Sequence, residues 1–80
     1  MADLREQLRG NMGREFIAVH PLSGAKENFK LISQENSNSA DYDFMREWKI
    51  QNLSTGNISD VELNWFDTKI CRRQIIWKEV

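Results

Sequence analysis

Cysteine and histidine are almost missing from this chain of 80 residues. Cys71 stands alone, so no disulfide can close within the chain, which fits a reducing compartment. His20 is equally solitary. A structural zinc needs several Cys, His or carboxylate ligands gathered in one place, so neither a metal nor another cofactor is expected. No apolar run approaches the ~18–20 residues of a membrane span. The opening MADLREQLRG carries charges where a secretion signal needs an apolar stretch, so the expected location is the cytoplasm. Asn52-Leu53-Ser54 and Asn57-Ile58-Ser59 match the glycosylation triplet, but without a secretion signal they read as turn residues. Gly10 and Gly13 have none of the spacings that cradle a phosphate.

An excess of one charge is also lacking. Eleven basic residues face 12 acidic ones, for a net charge of −1. Residues 1–30 hold five basic and four acidic side chains, residues 31–60 two and five, residues 61–80 four and three. Nucleic-acid binders draw much of their affinity from phosphate contacts and show a basic footprint, which this chain does not have overall.

What is present is the composition of a folded protein: 40% hydrophobic, 29% charged and 10% aromatic residues, among them three tryptophans and four phenylalanines. A chain this short forms one domain, residues 1–80. It buries only about 60% of its unfolded surface, so the rings supply much of a thin core.

Residues 1–12 read as a short helix or arm. Asp3 can cap it, Leu4 and Leu8 lie one turn apart, and Gly10 or Gly13 can end it. Residues 14–80 read as antiparallel sheet. REFIAVH (14–20) is β-branched and aromatic and stops at Pro21, before the turn-like PLSGAKEN. FKLIS (29–33) is a second strand with Phe29 and Leu31 on one face, and QENSNSAD (34–41) is a polar loop. YDFMREWKI (42–50) alternates, with Tyr42, Phe44, Arg46, Trp48 and Ile50 on one face and Asp43, Met45, Glu47 and Lys49 on the other. NLSTGN (52–57) turns the chain. VELNWF (61–66) alternates again with Val61, Leu63 and Trp65 inward, completing a long hairpin whose core is Phe44, Trp48, Leu63 and Trp65. DTK (67–69) turns it once more, so ICRRQIIWKEV becomes a last strand paired with the one before it. A helical alternative for this third rests on Ser59-x-x-Glu62 and on Leu63, Phe66, Ile70 and Trp77 at helical spacing. The β-formers Val61, Thr68, Ile70, Ile75, Ile76 and Trp77 favour strands. The expected fold is a β-rich α+β domain: a small antiparallel sheet or partial barrel of four to five strands with a short N-terminal helix.

No catalytic constellation is evident. Cys71 could be activated by Arg72 and Arg73, but a lone cysteine in an apolar strand is ordinarily a small core residue. His20 reads as a loop-edge residue, and Asp41 with Asp43 as a solubilising pair. The unusual feature is Arg46 in the middle of an apolar strand face, with Arg73 in the same situation if Cys71, Ile75 and Trp77 face inward. A guanidinium so placed needs an acidic group, in the fold or on a partner, or must reach out over Trp48 and Trp77. Arg72 then points to solvent. The residues expected to bind are Arg46, Trp48, Arg72, Arg73 and Trp77. The expected function is a non-enzymatic protein-interaction module, an accessory or inhibitor-type protein that uses these side chains and an edge strand. The alternative is single-stranded nucleic-acid or nucleotide binding on a sheet face. Self-association through an edge strand stays open.

Overall fold

Phe16 has no exposed surface, and the molecule is assembled around it. In the computed structural model, which describes residues 4–35 and 46–79, the chain forms α1 (Leu4–Gly10), β1 (Glu15–Val19), β2 (Lys26–Gln34), β3 (Trp48–Asn52), β4 (Ile58–Val61), a 3-10 turn (Leu63–Phe66) and β5 (Gln74–Trp77). The strands make one open antiparallel sheet in the order β4-β3-β2-β1-β5. This is the expected architecture of a five-stranded antiparallel sheet with a short N-terminal helix. Asp3, Asp41, Tyr42, Asp43 and Phe44 lie outside the described residues.

One face of the sheet is packed. Strand alternation turns Phe16 and Ala18 of β1, Leu31 of β2 and Trp48 and Ile50 of β3 to that side, and all five are buried. Leu8 of α1 and Leu63 and Phe66 of the 3-10 turn close over them. The Phe16 ring lies 4.9 Å from Trp77, 5.5 Å from Phe29, 5.8 Å from Phe66 and 6.0 Å from Trp65, centroid to centroid. Offset and edge-on rings at such distances add to the area they bury. No described element covers the opposite face, where Ile17, Lys30, Lys49, Gln51 and Ile76 project.

Two turns set the sheet up. Gly13 follows α1 at φ 81° and its N–H donates to Leu31 O at 2.8 Å, a conformation glycine adopts without strain. His20 Nδ1 accepts the N–H groups of Leu22 (3.2 Å) and Ser23 (3.3 Å), so this histidine organises the β1–β2 turn.

Three expectations need correction. β5 does not pair with the segment before it but with β1, Phe16 opposite Trp77 and Ala18 opposite Ile75. Residues 62–66 are not a strand. The hairpin partner of β3 is Ile58–Val61, with Val61 opposite Trp48, after which the chain coils into the 3-10 turn. Leu63 and Phe66, three apart, are both buried there, a spacing that alternation cannot deliver. Finally, Arg46 is not on the packed face. β3 begins only at Trp48, so its parity does not extend back: Arg46 is exposed and Glu47 is 1% exposed.

Candidate interaction site at Arg46, Trp65 and Arg73

The 3-10 turn puts Trp65 half-buried against Phe16 and Phe29, and leaves its backbone carbonyl turned toward the segment that leads into β5. Two groups converge on that oxygen. Arg73 Nη1 donates to it at 3.0 Å, and the Cys71 thiol lies 3.1 Å from it and 3.0 Å from Asp67 O. The Arg73 guanidinium carbon also stands 4.2 Å from the Trp65 ring centroid, a cation–π stack. Arg73 does face the same side as Cys71, Ile75 and Trp77, all half-buried, yet no carboxylate among the described residues forms an ion pair with it. The expected acid is replaced by a carbonyl and a ring. That arrangement satisfies a delocalised cation without the desolvation cost of a buried pair.

Beside this stack is a shallow depression of about 450 Å³, and Arg46 lines it together with Trp65, Ile70, Cys71 and Arg73. Ile70 is 61% exposed. Asp60 and Glu62 form its acidic side, and Asp60 is also 3.8 Å from Lys49. The surface therefore offers two guanidinium groups, an indole, an exposed branched aliphatic chain and two carboxylates.

The other expected binding residues lie elsewhere. Trp48 has no exposed surface and is a core residue; its Nε1 finds no hydrogen-bond partner among the described residues. Arg72 is exposed, with a left-handed backbone at φ 60°. Trp77 is half-buried on the packed face and lines a different groove, between α1 and β5. Trp65 and Ile70 were missed as surface residues because alternation assigned Trp65 to a strand interior. The Leu63-x-x-Phe66 spacing, once taken as a turn of helix, is the signal that leaves Trp65 half-buried between the core and Arg73.

Among the described residues the buried charge is Glu47. Its Oε1 is 3.3 Å from Arg5 Nε of α1, and its Oε2 accepts from Gln34 Nε2 at 2.9 Å. Gln34 reaches the packed side because β2 carries a bulge between Leu31 and Ser33, which resets the alternation so that Gln34 stands opposite Trp48. Among the described residues no three His, Cys, Asp or Glu side chains are grouped as a metal site would need. No family model, curated protein or solved structure matches the chain.

Proposed function

We propose that this chain is a non-enzymatic protein-interaction module, of accessory or inhibitor type, that binds a protein partner at the Arg46–Trp65–Arg73 depression. The observation that carries the reading is the Arg73–Trp65 stack at 4.2 Å, set beside exposed Arg46 and Ile70. Tryptophan and arginine dominate the hot spots of protein interfaces, and an arginine already held by a carbonyl loses little rotamer entropy when a partner arrives. Asp60 and Glu62 alongside give the surface mixed polarity, which suits a protein epitope better than a polyphosphate backbone.

The nucleic-acid alternative draws less support. A sheet that stacks bases presents rings on its open face. Here Phe16, Phe29, Trp48, Trp65, Phe66 and Trp77 all belong to the packed side. A cytoplasmic location is part of the proposal and rests on the lone cysteine. No helix among the described residues is long and apolar enough to cross a membrane.

The test is capture from the native host's lysate by the wild-type chain and by Arg46→Glu, with and without nuclease. Arg46 is exposed, so the variant keeps the fold. A protein retained after nuclease and lost with Arg46→Glu supports the proposal. A nuclease-sensitive complex supports the alternative, and capture indifferent to Arg46→Glu removes the depression from consideration.

A further inference from the structure

β5 ends the sheet, with β1 on one side and no described neighbour on the other. Lys78 N–H donates to Glu15 O at 3.0 Å, so the even-numbered residues of this strand turn their amides and carbonyls toward β1. In an antiparallel ladder the intervening residues point the opposite way, which leaves the backbone groups of Ile75 and Trp77 facing the free edge. Exposed edges are usually blocked by a proline, a bulge or an outstanding lysine. Residues 71–79 contain no proline, and Lys78 folds back on its own sheet to within 3.6 Å of Glu15.

We propose that the free edge of β5 pairs antiparallel with β5 of a second copy of this chain, about a two-fold axis at Ile76. The occupant follows from the sequence of the edge itself. Residues directly opposite in a ladder share a face, so a symmetric pairing must match residues of equal parity. Centred on Ile76, the pairing sets Ile76 against Ile76, Ile75 against Trp77, Gln74 against Lys78 and Arg73 against Glu79. Within residues 73–79 every apolar residue meets an apolar one, and the charge-on-charge pair is of opposite sign. Moving the axis by one residue breaks this: centred on Ile75, Arg72 opposes Lys78, and centred on Trp77, Ile75 opposes Glu79. The central register also uses the outward backbone groups, since Ile75 and Trp77 form a hydrogen-bonded pair. Ile76 is 41% exposed on the open face, ready for that contact. On the packed side, a groove of about 460 Å³ adjoins the same edge, with Leu4, Leu8, Phe66, Ile75 and Trp77 and the polar Gln7 and residues 67–69 in its walls. The pairing joins two open sheets into one of ten strands, and Arg73, which lines the depression at Arg46, is the residue it shares with that site.

The experiment measures molar mass by sedimentation equilibrium from about 1 µM to about 1 mM chain, alongside amide hydrogen exchange read residue by residue. The expected result is a monomer–dimer equilibrium, with the Ile75 and Trp77 amides gaining protection as concentration rises. Ile76→Lys is expected to abolish the dimer while leaving the circular dichroism spectrum unchanged. Glu79→Arg, which sets like charges opposite twice per dimer, raises the dissociation constant about tenfold, and 1 M salt narrows that difference. A monomer throughout the range overturns the proposal. So does a dimer whose Ile75 and Trp77 amides gain no protection, a readout on the wild-type chain that does not depend on any variant folding.

Discussion

Arg5 and Glu47 pin the helix to the sheet: the guanidinium Nε lies 3.3 Å from a carboxylate oxygen whose side chain is 1% exposed, while Arg5 itself stays 21% exposed. The pair joins positions 42 residues apart, and Gln34 holds the second oxygen. A seven-residue helix cannot persist on propensity alone, so α1 depends on this contact and on Leu4 and Leu8.

Glu47→Ala is expected to cost about 3 kcal/mol in urea unfolding, because it removes the carboxylate that receives Arg5 and Gln34 and leaves a buried void. The double variant Arg5→Met with Glu47→Leu should recover much of that loss, since apolar substitutes often match a buried ion pair. A double variant as unstable as Glu47→Ala would mean that the anchoring depends on the charges themselves.

Trp48→Ala and Trp65→Ala separate core from edge. Trp48 has no exposed surface, and its truncation should cost ~3–5 kcal/mol, enough to unfold a domain this small. Trp65 is half-buried, so its loss is expected to be smaller, about 2 kcal/mol, and to come with loss of partner binding. Chemical denaturation monitored by circular dichroism orders the two, and equal costs would place Trp65 in the core proper.

The neighbouring arginines should differ. Arg73→Ala removes a hydrogen bond and a cation–π stack, for a loss of ~1–2 kcal/mol that 1 M salt leaves largely intact, because no carboxylate of the described residues takes part. Arg72→Ala should stay within ~0.5 kcal/mol. Arg72→Gly is expected to be neutral or slightly stabilising, as glycine accepts φ 60° without strain. A Arg73→Ala loss that vanishes in high salt would reinstate an acidic partner.

Gly13→Ala tests backbone strain in isolation. A methyl group there meets nothing within 4 Å, but φ is 81°. The expected cost is about 1 kcal/mol in thermal unfolding, from conformation rather than packing. A silent substitution would show that the turn relaxes.

Alternation within Trp48–Asn52, the β-branched run of β1 and the Leu4–Leu8 pair were legible in the sequence, because each is a local period imposed by the backbone: two for a strand, near four for a helix. Those periods determined that the protein would be an antiparallel sheet with a small helix. They could not say where a strand begins. Extending the β3 alternation back by two residues put Arg46 inside and Glu47 outside, and the structure reverses both. The true arrangement needs the bulge in β2, which delivers Gln34, and α1, which delivers Arg5; both are remote in sequence. Pairing of β5 with β1 was hidden for the same reason. A strand carries no local mark of its neighbour, and the choice falls to whichever edge lets Ile75 and Trp77 cover Phe16 and Ala18. Tertiary packing likewise bent residues 63–66 into a turn of helix, since only a three-residue step buries Leu63 and Phe66 together. That step is what left Trp65 half-buried over Phe16 and Phe29 and set it under Arg73.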